Sequence, residues 1–324
     1  MSFKYIDLFA GIGGIRMPFD EIGGKCVFSS EIDKFARQTY QANYNEEPKG
    51  DITQIEPETI PSFDLLLAGF PCQPFSQAGL QKGFDDTRGT LFFYIAELIK
   101  FHQPKAVLLE NVKRLKSHDK GNTFKVMEKT LRDLGYNVFH EILAARDFGV
   151  PQNRERIYII ALKDNADFKF PTATNIETNV GSILEQNVPE KYTISDRLWE
   201  GHQRRKEQHK QKGNGFGYSL FTESSQYTNT ISARYYKDGS EILIDQGIHK
   251  NPRKITPREA ARLQGFPDTF KIVVSDVQAY KQYGNSVSVP VIRAIANQLR
   301  PFLNICSNAN KWHHRNDNTL LPVT

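Results

Sequence analysis

A chain of 324 residues with formal net charge +5, 39% hydrophobic and 24% charged residues can bury one large core and carry a smaller domain beside it. No apolar run approaches the roughly 20 residues that cross a bilayer, and Lys4 and Asp7 interrupt the start before a secretory core can form, so a cytoplasmic protein is expected. The 3 cysteines (Cys26, Cys72, Cys306) lie far apart without a C-x-x-C pair, which argues against a disulfide framework and against a metal site. The mild basic excess suits a nucleic-acid partner without requiring one.

From the start to about residue 163, short apolar runs alternate with longer amphipathic ones, the pattern of β-α units winding a parallel sheet. Candidate strands fall at residues 3–8, 25–29, 65–68, 106–109 and 156–162. The first is followed by Phe9-Ala10-Gly11, the second by Glu31, the third by Pro71-Cys72 and the fourth by Glu110-Asn111. If these strands are parallel, all of these groups line one edge of the sheet, where open α/β sheets bind ligands. After about residue 165 the texture turns to Thr, Asn and Gln, with a basic run at 202–212 and a glycine-rich stretch at 213–217. Lys237-Asp238-Gly239 predicts a hairpin turn between 231–236 and 242–244, and the region reads as a small, irregular, β-rich domain. Thr256-Pro257-Arg258-Glu259 forms a capping box that starts a helix ended by Gly265, and a last helix is expected over about 288–300. The tail from Ser307 is polar and is assigned no structure.

Cys72 sits in Gly69-Phe-Pro-Cys-Gln-Pro-Phe-Ser76, just past an apolar strand. A stiff Pro-Cys-x-Pro loop there suits a nucleophile; a buried structural cysteine is the other reading of the segment alone. Gly11-Ile12-Gly13-Gly14 follows the first strand directly and lets the backbone turn tightly beside a ligand. About 20 residues on, Glu31 stands where an acidic side chain accepts hydrogen bonds from ribose hydroxyls. The third glycine of a dinucleotide fingerprint would fall at Arg16, which favours an adenosine without phosphates over NAD; a plain strand-to-helix turn is the alternative.

Asp7-Leu-Phe-Ala-Gly-Ile-Gly-Gly14, Gly69-Phe-Pro-Cys-Gln-Pro-Phe-Ser76, Glu110-Asn111-Val112, Gln152-Asn-Arg-Glu-Arg156, Arg258-Glu-Ala-Ala-Arg-Leu-Gln-Gly-Phe-Pro267 and Tyr283-Gly-Asn-Ser-Val287 occur in this order. With them the chain resembles the DNA (cytosine-5) methyltransferases, and its compact length looks like the bacterial restriction-modification members. The resemblance runs over about residues 3–300, apart from a variable stretch near 165–252. It implies an α/β, Rossmann-like catalytic domain dependent on S-adenosylmethionine, over 1–165 and completed by 278–304. A target-recognition domain and hinge would occupy 166–277, and 305–324 would be a polar tail. The implied substrate is a cytosine flipped out of a short duplex DNA sequence, and the implied state is a monomer on DNA in the cytoplasm, associated with the nucleoid, with a cognate restriction endonuclease in the same system.

Carried over residue by residue, the resemblance places Phe9 on the adenine, Gly11 and Gly13 beside the cofactor, Glu31 on the ribose and Ile32 over the other adenine face. Family members often carry an aromatic where Ile32 stands, which weakens stacking there. Asp51 and Ile52 resemble the pair at the adenine amino edge, and Leu91, Asn285 and Ser286 resemble further cofactor contacts. Cys72 would add to carbon 6 of the cytosine, Glu110 would hold a proton at N3, Arg156 would hold O2, and Arg154 would brace the loop or a phosphate. The glycine-bearing stretch 76–90 looks like a loop that closes over DNA, with Ser76, Gln81 and Arg88 as its DNA-facing candidates, and an ordinary surface loop is the alternative. Thr230-Ile231 resembles the family's recurrent pair in the recognition region. The basic run 202–212 can neutralise phosphates or be a solvated helix face. An RNA cytosine methyltransferase is the enzymatic rival, disfavoured because no cysteine lies between Cys72 and Cys306 to supply its Cys-Phe-Thr signature. A catalytically silent DNA-binding paralogue is disfavoured because the motif residues are intact.

Overall fold

The computed structural model describes residues 2–71, 91–163, 167–174, 176–215 and 217–303. Strands β1 (Lys4–Leu8), β2 (Lys25–Ser30), β3 (Leu65–Gly69), β4 (Ala106–Val112), β5 (Asn137–Ala144) and β6 (Glu155–Leu162) form a 6-stranded sheet in the order β2-β1-β3-β4-β6-β5. β1 pairs in parallel with both β2 and β3, and β3 with β4. These strands read as near-continuous apolar runs because both faces are covered. Ile6, Leu8, Leu66 and Leu109 feed one core, and Tyr5, Leu65, Leu67 and Leu108 feed the other.

Helices α1 (Arg16–Glu21), α2 (Lys34–Tyr44), α3 (Leu91–His102) and α4 (Asn122–Asp133) belong to this unit. From β1 the chain crosses to β2 on one side and later to β3 on the other. The carboxyl end of β1 is therefore a topological switch point, the place where such sheets open a ligand crevice.

The fifth expected strand forms, but it is not parallel. β6 runs antiparallel to both β4 and β5. The segment from Ala145 to Arg154 that joins β5 to β6 is too short for the helical crossover a parallel neighbour needs. This reversal matters for the site, because the register pairs Arg156 at the start of β6 with Val112 at the end of β4. β5 itself escapes notice in the sequence: its burial is patchy, with Asn137, His140 and Glu141 breaking the apolar alternation, as befits an edge strand.

Beyond residue 167 the regular strands are β7 (Leu220–Phe221), β8 (Leu243–Ile244) and β9 (Arg253–Lys254), in a 3-stranded sheet. The region is irregular as its composition implies, but its longest element is a helix, α5 (Asp196–Gln211), which contains most of the basic run. The expected hairpin does not form. A turn is present at Gly239, whose φ of +67° suits glycine and whose carbonyl accepts from Ile242 N, but 233–238 fold as turns and place Tyr235 in the core. The Tyr235 hydroxyl donates to Ile242 O at 2.6 Å and accepts from Ile255 N at 2.9 Å, so the ring seals this small core instead of projecting from a strand.

Helix α6 (Pro257–Leu263) starts with the capping box read from the sequence. It ends in a Schellman arrangement, with Gly265 N bonded to Arg262 O and Phe266 N to Ala261 O, around a Gly265 φ of +81°. Helices α7 (Asp276–Asn285) and α8 (Val289–Leu299) follow. Val291, Ile292, Ile295 and Leu299 of α8 pack into the core that holds Tyr5 and Leu67, so the last part of the chain lies on the first sheet.

Candidate active site

A cavity of about 590 Å³ opens at the carboxyl ends of β1 to β4. Each strand delivers its own groups to the wall: Phe9 to Gly11 from β1, Ser30 to Ile32 from β2, Gly69 to Pro71 from β3, and Glu110 to Val112 from β4. Arg154, just before β6, and Arg156, in β6, arrive together, and Gln282, Asn285 and Ser286 come from α7 and the residue after it. The antiparallel entry of β6 is what brings the two arginines to this edge.

The half of the cavity near β1 and β2 is built from backbone turns. Phe9 and Gly11 take φ of +53° and +55°, and no atom lies within 4 Å of a Cβ added at Gly11, so a ligand can approach the chain closely there. Glu31 Oε2 accepts from Gly11 N and Oε1 from Asp33 N, both at 2.8 Å, which fixes the carboxylate and leaves its remaining lone pairs for a diol. Burial pushes the Glu31 carboxyl up, and the amide donors at Asp33 and Gly11 pull the other way. Asp33 caps α2 through bonds to Phe35 N and Ala36 N. Ile32 is 70% exposed, an apolar side chain standing free on the rim. Asp51 Oδ1 accepts from Thr53 N at 2.9 Å, which leaves its other oxygen open, while Ile52 is buried against the first core. Ile52, Leu91, Asn285 and Ser286 all border the cavity.

Gly13 is the exception among the cofactor candidates, since it is not part of this wall. A Cβ there would lie 2.2 Å from the Tyr44 ring, and the Tyr44 hydroxyl donates to Gly13 O at 2.8 Å. Its lack of a side chain serves the packing of α2 behind the turn. Gly14 has a similar duty toward Ser286, whose Oγ would sit 2.8 Å from an added Cβ.

The other half carries buried ionisable groups. Glu110 is buried, pairs across the sheet with Gly69, and has Arg156 Nε at 3.3 Å from Oε1. Burial raises its pKa above the ordinary 4.5, and Arg156 and Arg154 only partly oppose this. Arg156 Nη1 is held by Glu155 O at 2.8 Å. Arg154 is buried at the cavity edge, and its guanidinium donates to the carbonyls of Ile231, Gly284 and Ser286. Of the two roles expected of it, bracing is the one these bonds serve. Thr230 Oγ1 donates to Asn153 O at 2.6 Å, beside the same loop. Cys72, Ser76, Gln81 and Arg88 lie outside the described residues; Pro71, next to Cys72, lines the cavity. Cys26 is a poor rival nucleophile, because burial pushes its thiol up to about 12.

Several positions were not legible as functional from residue type alone. Asn111 Nδ2 donates to Phe70 O at 2.8 Å, tying the strand of Glu110 to the chain entering Cys72. Gln152 is fully buried; its Nε2 donates to Leu263 O and Gln264 Oε1 and its Oε1 accepts from Ile231 N. Gln264 Nε2 in turn donates to Tyr283 O at 2.6 Å. Together with Arg154, these amides lock four distant segments of chain around the cavity. Residue type signals only that each of these side chains needs partners, not where the partners are.

Gly284 shows how tightly these segments meet, since an added Cβ would lie 2.3 Å from Ala233 N and from Ser232 C. Backbone cannot retreat as a side-chain tip can. Gly284→Ala is therefore expected to cost about 2–3 kcal/mol and to weaken cofactor affinity through the neighbouring Asn285. Thermal melting and calorimetric titration with S-adenosylmethionine check both parts, and an unchanged melting temperature counts against the close contact.

The fold and the crevice define a Rossmann-like methyltransferase. An Entamoeba histolytica methyltransferase, EhMeth, superposes with a TM-score of 0.76 at 23% identity, covering 94% of this chain and 99% of that one. The family is set by the sequence: the model of the C-5 cytosine-specific DNA methylases matches residues 3–300, and the chain belongs to that family. Among similar proteins are the type II methyltransferase M.NlaX of Neisseria lactamica, 63% identical over 94% of this chain and 99% of that protein, and M1.ScrFI of Lactococcus lactis subsp. cremoris, 62% identical over 92% and 78%. The protein is thus a DNA (cytosine-5) methyltransferase that uses S-adenosylmethionine. The cavity fits that cofactor: it offers an open glycine turn, a fixed carboxylate for a ribose and no phosphate-binding third glycine. No described helix is long and apolar enough to cross a membrane, and no described cluster of side chains is suited to a metal ion.

Proposed function

We propose that the protein methylates one cytosine in a short duplex sequence as the modification enzyme of a type II restriction-modification system, by transient covalent addition of Cys72 to the base. The observation that carries this reading is the buried Glu110 with Arg156 beside it, at the edge of the cavity that Pro71 also lines. Carbon 5 of cytosine is too electron-poor to attack a methyl donor unaided. The Cys72 thiolate adds to carbon 6, and the ring electrons move toward carbon 5. A proton held between Glu110 and N3 relieves the charge, and Arg156 holds O2. When bound, S-adenosylmethionine supplies the electrophilic methyl group that carbon 5 accepts. Loss of the carbon 5 proton to a water molecule then re-forms the carbon 5–carbon 6 double bond as the carbon 6–sulfur bond breaks, which releases the Cys72 thiolate and returns the N3 proton to Glu110.

In this reading Phe9 and Ile32 flank the adenine, Glu31 takes the ribose, and Asp51 with Ile52 meets the adenine amino edge. Gly11, Leu91, Asn285 and Ser286 complete the cofactor wall, and Arg154 positions Asn285 and Ser286 through the carbonyls on either side. Residues 1–165 with 278–304 form the catalytic domain, and 166–277 the recognition domain and hinge. DNA lies between them, met by Ser76, Gln81, Arg88 and Thr230, and the target base is flipped into the cavity at a cost of a few kcal/mol. The protein works as a monomer in the cytoplasm, at the nucleoid, protecting DNA from a companion endonuclease. Type II methyltransferases 62% and 63% identical along almost the whole chain support the restriction-modification assignment.

Bisulfite sequencing of DNA from cells expressing the protein tests the reading. Protected cytosines confined to one short recurring sequence are expected; the absence of any protected site, from a folded and expressed protein, overturns it.

A further inference from the structure

We infer that the basic, kinked segment Lys113–Gly121 is a second hold on the DNA backbone, on the catalytic side of the cleft and separate from the recognition region. This inference rests on the reading of the cavity as the place where the flipped cytosine is methylated. The segment leaves β4 directly after Glu110, Asn111 and Val112, all of which line the cavity. Arg114 is four residues from Glu110, so its backbone lies within roughly 14 Å of it even if the chain is fully extended. DNA that delivers a base to Glu110 must carry its neighbouring phosphates past this point, at about 3.4 Å of helix axis per phosphate on each strand.

The chemistry of the segment suits that position. Leu115 is its one buried side chain and anchors it in the first core, while Arg114, Lys116 and Lys120 are exposed. None of these three has an ion-pair partner among the described residues; Lys113 does, pairing with Glu155 at 2.8 Å. Asp119 is the only acidic residue in the segment, and its Oδ2 accepts from Asn122 Nδ2. A solvated surface stretch needs no fixed form, yet this one is held in a costly form. Asp119, Lys120 and Gly121 take successive φ of +48°, +54° and +88°, and the His118 ring bonds Thr123 Oγ1 at 2.7 Å. The cations are thus carried, exposed, on a shaped loop anchored at both ends beside the cavity. Contacts with phosphates position the duplex and read no sequence.

The test uses the full-length protein and a labelled duplex containing the site found by bisulfite sequencing. The dissociation constant is measured from 50 to 200 mM KCl for wild type, for Arg114→Ala/Lys116→Ala/Lys120→Ala, and for a charge-matched control, Lys25→Ala/Lys129→Ala/Lys169→Ala. Each lost phosphate contact lowers the slope of log K against log salt by about 0.9, so a fall of roughly 2–3 is expected for the first variant alone. KM for DNA should rise about tenfold or more near 0.15 M salt, with kcat and the affinity for S-adenosylmethionine unchanged. An unchanged slope, or an equal fall in the control, overturns the inference while leaving the enzyme's activity in place. If wild-type protein neither binds nor methylates the duplex, the underlying reading of the cavity fails instead.

Discussion

Cys72→Ala is expected to abolish methyl transfer, by at least about 10⁴-fold in kcat, while binding of DNA and of S-adenosylmethionine stays within a few-fold of wild type. The reason is electronic. Without addition at carbon 6 the ring has no means of placing a pair of electrons at carbon 5, and no other group of the site can replace a thiolate at that carbon. Cys26, the one cysteine among the described residues, is half-buried with its thiol pushed up to about 12. Single-turnover transfer of a labelled methyl group measures the loss. A duplex with 5-fluorocytosine at the target should trap a denaturation-resistant adduct with wild type and none with the variant. Residual turnover near the wild-type rate, or an adduct formed without Cys72, would remove the nucleophile from its assigned place.

Glu110→Gln should carry the second-largest effect, a fall of about 10²–10³-fold in kcat with little change in cofactor affinity. Glutamine keeps the shape and can still donate a hydrogen bond to N3, so the loss is smaller than for the thiol. What it cannot do is share a proton with the ring as charge develops. The pH dependence separates this role from a structural one. Burial raises the Glu110 pKa above 4.5, so the native protein holds this proton more tightly than the unfolded chain does. Its contribution to stability is complete below the unfolded value and is lost as pH rises through the raised value. The glutamine variant has no proton to titrate here, so its stability should lose the pH dependence that Glu110 gives the wild type, although it also gives up the ion pair with Arg156. Activity needing the protonated carboxyl falls over the same rise in pH, and the Glu110→Gln profile should lose that limb. A variant that melts early and keeps wild-type kcat in the surviving fraction would assign Glu110 to structure only.

The two effects are linked by one piece of architecture. Asn111 bonds the carbonyl of Phe70, so the strand that carries Glu110 is fastened to the chain that enters Cys72. Arg156 reaches the same place only because β6 enters the sheet in reverse. Arg154 holds the carbonyls of Gly284 and Ser286 from within, which joins that wall of the cavity to the chain entering β6 just before Arg156. A change at any of these supports should lower kcat through misplacement, with no loss of a reacting group.

The residues alone determined the parallel β1 to β4 unit and the chemistry at its edge. Long apolar runs that stop at Gly, Glu or Cys can be read without coordinates, because a strand buried on both faces leaves an unbroken hydrophobic record. The capping box at Thr256 and the stop at Gly265 were legible for a similar reason, since both are local bonds between near neighbours. The direction of β6, the existence of β5, the true partners of β8 and the packing duty of Gly13 were decided only in three dimensions. Each depends on what a segment meets far along the chain. A short connection reversed β6, an edge position let polar residues into β5, and the Tyr235 ring was worth more in a core than in a hairpin. The interlock of Gln152, Gln264 and Arg154 belongs to the same class: a polar side chain records in its type that it needs partners, but only the folded chain supplies them.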